Sequence, residues 1–166
     1  MSRDLGKKFE DSFKKQWADT FPGTFLYRLP DQMNGYKESS ENPADFFCFP
    51  VEACFLVVEC KSHKGASIPF NAIPQYERLL EYKGRKNTYP GVLVWFYEKD
   101  KILWVSIEEA EKMVLDGEKS IGLRMLDQDY KNKYNILDIP ATKLRVFMKP
   151  DYEWLVEALL KGGLTV

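Results

Sequence analysis

Pro43-Ala44-Asp45 is followed, after 13 residues, by Glu59-Cys60-Lys61. On an extended strand side chains two apart share a face, so Glu59 and Lys61 project together while Cys60 turns into the opposite layer. A hairpin of residues 44–49 with residues 53–62 brings Asp45 alongside. Two carboxylates on one face make a hard, oxygen-rich site for Mg2+, with Mn2+ as a substitute, and the main-chain carbonyl of Cys60 adds a further oxygen. Beside such an ion the Lys61 ammonium can orient or deprotonate the attacking water and offset charge developing on a phosphate. The chemistry this set suits is phosphodiester hydrolysis. As a solvated pair on the exposed face of one hairpin strand, Glu59 and Lys61 would contribute only a few tenths of a kcal/mol. That reading leaves unexplained why Asp and Glu-x-Lys interrupt the apolar runs FFCF and CFLVV.

The elements that must hold these residues are legible in the periodicity. Leu5, Phe9, Phe13 and Trp17 recur at steps of four with Lys7, Lys8, Lys14 and Lys15 between them, which predicts an amphipathic helix over 4–19. Residues 24–29 read as a strand, 30–43 as an exposed loop, and 44–49 and 53–62 as a hairpin turning through Pro50-Val51-Glu52. A helix follows over 71–85 with Pro74 near its start, then a continuously apolar strand over 91–97 paired with 102–107. Ser106 can cap a helix over 108–115, and beyond Gly117 the pattern weakens to a strand over 143–148 and a helix over 152–160. The order helix, three strands, helix, strand is that of an α/β protein, a mixed sheet flanked by helices. We expect one domain over 1–166, with a core of about 3–107 and a C-terminal extension of about 108–166.

Composition sets the outer limits. Hydrophobic residues at 45% with 30% charged residues describe a folded domain. No run of 18 apolar residues and no apolar stretch behind the first basic residues is present, so we expect a cytoplasmic protein without a membrane anchor. Cys48, Cys54 and Cys60 form no CxxC pair and read as buried, reduced thiols. A formal charge of −1 means that any nucleic-acid site rests on local patches.

Pro43-Ala44-Asp45 with Glu59-Cys60-Lys61 resembles the signature of the PD-(D/E)XK nucleases, whose restriction-endonuclease-like fold has the element order above. Three flanking segments resemble the RecU-type Holliday-junction resolvases in particular. Gly6-Lys7-Lys8-Phe9-Glu10 is similar to that group's first-helix element, which implies Glu10 as a third metal carboxylate. Tyr27-Arg28-Leu29-Pro30-Asp31 is similar to its basic, proline-containing segment, and Pro74-Gln75 stands where the family carries a glutamine. The resemblance spans roughly residues 3–107. It implies a Mg2+-dependent endonuclease that acts as a homodimer on four-way DNA junctions in recombination or repair. In this reading Glu10, Asp45 and Glu59 hold the metal, and Gln75 positions the water or the phosphate. Two departures stand out: residues 32–42 are short where RecU proteins carry a stalk, and Pro74 replaces the family's histidine. A compact phage-encoded relative would account for the shortness.

Lys7, Lys8, Arg28 and Lys64 are candidate phosphate contacts, and Tyr36 and Lys37 are candidates for stacking or contact at a junction centre. His63 is not assigned the role of general base. Phe46, Phe47, Phe49, Phe55, Trp95, Phe96 and Trp104 are expected in the core and at a dimer surface rather than as a base-stacking platform. The alternatives are another PD-(D/E)XK nuclease of restriction or repair type, or a non-catalytic DNA-binding module of the same fold.

Overall fold

The computed structural model describes residues 2–30 and 42–162. Helix α1 (Ser2–Thr20) leads into strands β1 (Phe25–Arg28), β2 (Phe46–Val51) and β3 (Cys54–His63). A short strand β4 (Ser67–Pro69), a 3-10 turn (Phe70–Ala72) and helix α2 (Tyr76–Leu80) connect to β5 (Thr88–Phe96), β6 (Lys101–Ser106) and α3 (Ile107–Leu115). The remainder comprises β7 (Ser120–Gly122), a second 3-10 turn (Leu123–Leu126), α4 (Gln128–Lys131), β8 (Leu137–Asp138), β9 (Ala141–Lys143), β10 (Met148–Pro150) and α5 (Tyr152–Gly162). Six strands form one mixed sheet in the order β1-β2-β3-β5-β6-β8. Only β3 and β5 run parallel in it; their register pairs Glu59 with Val92.

Alternation along the strands divides the core into two layers. Phe46, Cys48, Leu56, Val58, Cys60, Trp95 and Trp104 turn to the side of α1 and α5, where Phe9, Phe13, Trp17 and Tyr152 cover them. The Phe13 ring lies 4.8 Å from Phe46 and 5.3 Å from Tyr152, centroid to centroid. Burial of rings of this size contributes roughly 1.5–3 kcal/mol each, which fixes the helix on the sheet more firmly than its lysine-rich sequence could. Val57, Val92, Val94, Leu103 and Val105 face the opposite layer with Leu79, Ala110 and Met113. Gly91 is required by sterics: a Cβ there would stand 2.5 Å from the Trp104 ring. The C-terminal extension is built into this core, since β8 extends the sheet beside β6 and Tyr152, Leu155 and Val156 join the aromatic layer.

Several boundaries differ from the sequence reading. The helix expected over 71–85 contracts to Tyr76–Leu80. Pro74 keeps Ile73 out of the helical region, at φ −120° and ψ 74°, so the segment before it closes only as a 3-10 turn. Pro50 lies within β2 rather than in the turn, at an irregularity of register between Cys48 and Val51 that spares it a ladder hydrogen bond. The strand expected over 143–148 is the tip of the β9–β10 hairpin, in which Met148 pairs with Lys143. Ser106 caps α3 as expected, accepting from the Glu109 N–H at 3.3 Å.

Candidate active site

The β2–β3 hairpin forms with Phe46 opposite Val58 and Phe47 opposite Val57. Asp45 stands one residue ahead of this ladder. Its N–H donates to the Val58 carbonyl at 3.0 Å, its carbonyl accepts from the Leu29 N–H at 2.8 Å, and its Oδ2 accepts from the Cys60 N–H at 2.8 Å. The carboxylate thus takes a strand amide in place of a backbone carbonyl and is pinned beside Glu59 and Lys61. Cys60 is buried among the aromatics of the α1 side, and Glu59 and Lys61 emerge together, joined at 2.9 Å from Nζ to Oε1.

Glu59 is 1% exposed and Lys61 23%. The second Glu59 oxygen, Oε2, is buried without a hydrogen-bond partner. Burial, then the Asp45 charge, pushes the Glu59 carboxyl up to about 8 against the pull of Lys61. Burial, then the Glu10 charge, raises Asp45 to about 6, although the Cys60 N–H, Lys61 and Arg28 favour its ionised form. Two buried carboxyl groups that hold protons well above the usual carboxylate range lack positive charge. A hard divalent cation would supply it, and the orphaned Glu59 oxygen and the Asp45 carboxylate are suitable donors. This donor set fits the cation expected from sequence.

The expected third carboxylate is differently disposed. Glu10 reaches the site from α1, but its Oε2 receives Arg28 Nη2 at 2.7 Å. Among the described residues no three acidic, histidine or cysteine side chains converge on one point to hold a metal ion. The cluster of Glu10, Asp45 and Glu59 expected from the resemblance is therefore not assembled. Arg28 gives the reason: it holds the Glu10 carboxylate, so that the charge of Glu10 but not its oxygens reaches Asp45 and Glu59.

The other candidates scatter. Gln75 precedes α2 with its Oε1 buried and unpartnered, and no hydrogen bond among the described residues ties it to Asp45, Glu59 or Lys61. Lys7 is exposed and lies one turn before Glu10, hence on the same flank of the helix. Lys8 pairs with Asp4 at 2.6 Å and lines a groove with Lys15, Leu144, Phe147 and Lys149 on the other flank. Lys64 faces Glu98 at 3.7 Å. Tyr36 and Lys37 lie outside the described residues. Phe46, Trp95, Phe96 and Trp104 are buried as expected and Phe47 and Phe55 are half-buried, whereas Phe49 is exposed. Phe49 shares the open face of β1–β2 with Phe25 and Tyr27, whose rings stack at 6.5 Å.

No protein-family model and no curated protein matches this chain. Among solved structures, it is similar to Archaeoglobus fulgidus Hjc, a Holliday junction resolvase from an archaeal hyperthermophile. The identity is 18% over 71% of this chain and 88% of that chain, with a TM-score of 0.49.

Glu10 and Arg28, a metal carboxylate and a phosphate contact in sequence, are paired with each other in the structure. Strand parity carries the missing signal: Leu26 packs into the α1 layer, and Arg28, two residues on, takes the same side. No helix among the described residues is long and apolar enough to cross a membrane.

Proposed function

We propose that this chain is a divalent-cation-dependent DNA endonuclease of the PD-(D/E)XK type, one nuclease domain over its whole length, selective for four-way junctions in recombination or repair. The observation that carries the reading is the buried Asp45 and Glu59 pair beside Lys61, with one Glu59 oxygen left without a partner. Asp45, Glu59 and the Cys60 carbonyl would hold Mg2+ or Mn2+. The bound ion would supply charge neutralisation at the phosphate and a more acidic water. Lys61, half-buried and already oriented by Glu59, holds a proton donor at the reacting oxygen and balances charge on the phosphate. Asp45 is fixed by the Cys60 amide, so little reorganisation is needed at this ligand.

The junction preference and the RecU-like character rest on the segments around Glu10, Arg28 and Gln75. The homodimer is supported by the apolar strip of Phe25, Tyr27, Phe49 and Val51, the first two 54% and 49% exposed, which gives a second copy a surface to cover. Three buried, free cysteines fit a reducing, cytoplasmic setting.

The test is Mg2+-dependent cleavage of labelled four-way junction, duplex and single-stranded DNA by the wild type, Asp45→Asn and Lys61→Ala. We expect paired nicks confined to the junction and absent in both variants. Equal cleavage of all substrates would keep the nuclease and remove the junction preference. No cleavage of any, with DNA binding unchanged in Asp45→Asn, would establish the non-catalytic module.

A further inference from the structure

Glu10 is close enough to the buried pair for its charge to raise both Asp45 and Glu59, yet Arg28 holds its carboxylate at 2.7 Å. Glu10 and Arg28 are 20% and 27% exposed, so the pair is partly desolvated and stronger than a surface ion pair. Arg28 also favours the ionised form of Asp45. Its guanidinium therefore serves Glu10 and Asp45 as a substitute positive charge, while Lys61 serves Glu59. A planar guanidinium is equally suited to a phosphodiester, with the same fork of donors that now meets the carboxylate. Arg28 cannot make the best of both partners from one position.

We propose that Arg28 is a positioning residue that withholds Glu10 from the cation site until a DNA phosphate takes the guanidinium. This inference rests on the nuclease reading. In the DNA-free protein the cation would be held by Asp45, Glu59 and the Cys60 carbonyl without Glu10, because the Glu10–Arg28 pair opposes a third carboxylate ligand. When a phosphate enters, Arg28 moves onto it and the released Glu10 turns to the cation. DNA and cation then favour one another's binding, and by linkage the factor is the same in both directions. The arrangement explains why three carboxylates brought within electrostatic reach do not form a ready-made cage.

The experiment measures that factor without cleavage. Ca2+ serves as the oxygen-seeking probe cation and a labelled synthetic four-way junction as the probe DNA, at matched ionic strength. Fluorescence anisotropy gives the DNA dissociation constant in EDTA and in saturating Ca2+, and calorimetry gives Ca2+ affinity without DNA. For the wild type we expect Ca2+ to tighten DNA binding about tenfold, within the usual range of such couplings. Arg28→Gln and Glu10→Gln should both reduce the ratio to below about twofold, and Arg28→Lys should retain part of it. The two Gln variants should separate in the DNA-free titration, where Arg28→Gln binds Ca2+ more tightly than the wild type and Glu10→Gln matches it within about twofold. A wild-type ratio kept in Arg28→Gln, with Ca2+ binding lost in Asp45→Asn, would overturn the switch and leave the nuclease reading intact. Absence of Ca2+ binding by the wild type, with or without DNA, would overturn both.

Discussion

Two parts of the sheet, its closed β5–β6 end inside β8 and its open β1–β2 end, are built to opposite specifications. At the β5–β6 end almost every residue is buried, and Gly91 is reduced to a hydrogen because the Trp104 ring occupies the space of its Cβ. At the β1–β2 end each β1 residue is exposed or half-exposed, Asp45 has left the ladder, and the aromatic side chains Phe25, Tyr27 and Phe49 face solvent. The closed end provides the stability that lets the open end hold buried like charges and uncovered rings. The candidate site thus adjoins the edge of the sheet whose aromatic rings are least covered.

Substitutions at the two ends should accordingly have opposite signs. Trp104→Ala at the closed end is expected to cost about 3–5 kcal/mol, read by denaturant unfolding, because it leaves a ring-sized cavity between layers that cannot collapse. Glu59→Gln at the open end is expected to raise the melting temperature by a few degrees at pH 8 in EDTA while cleavage is lost. The pH dependence sharpens this. Asp45 and Glu59 hold their protons more tightly folded than unfolded, at about 6 and about 8, so the folded chain binds more protons across this window. Stability in EDTA should fall as pH rises from about 4 to about 8; Mg2+ should oppose the fall and Glu59→Gln should flatten it. Calorimetric scans at several pH values decide it, and a melting temperature that rises over this range would contradict the assignment.

Smaller effects separate the surfaces of the open end. Tyr27→Glu should weaken self-association by about tenfold or more in sedimentation while leaving the melting temperature of the monomer nearly unchanged. On α1, Lys7→Ala with Lys14→Ala, on the Glu10 flank, should lower the salt dependence of DNA binding by a slope of about 1–2. The pair Lys8→Ala with Lys15→Ala, on the far flank, should leave that slope unaltered.

Legibility from sequence follows a similar division. Strong patterns mark α1, β3 and β5, because their burial is dense: α1 repeats its apolar residues at steps of four, and β3 and β5 are apolar on both faces. Asp45, Glu59 and Lys61 were legible because charge inside an apolar hairpin needs a reason. Proline and long-range contacts limited the rest. Pro74 shortened α2 through the conformation of Ile73, and β7 and β8 are two- or three-residue strands specified only by partners far along the chain, Ile68 and Leu103 among them. Residues 143–148 suggest a strand, but 144–147 turn the tip of the β9–β10 hairpin, on which Leu144 and Val146 are exposed. The Glu10–Arg28 pair joins residues 18 positions apart on different elements: strand parity puts Arg28 on the side of Leu26, but the partner it meets there is set by how α1 packs on the sheet.

The parallel register of β3 and β5 has a consequence for how the chain folds. The hairpins β2–β3 and β5–β6 join neighbours in sequence and can close within microseconds. Their union must wait for the whole connection through β4 and α2 to be closed, a non-local step that sets a slower rate. Val92 of β5 arrives beside Glu59 of β3 in that step. The carboxylate therefore loses its water late, when the two hairpins dock, and conditions that keep it charged should slow this docking and leave the formation of either hairpin untouched.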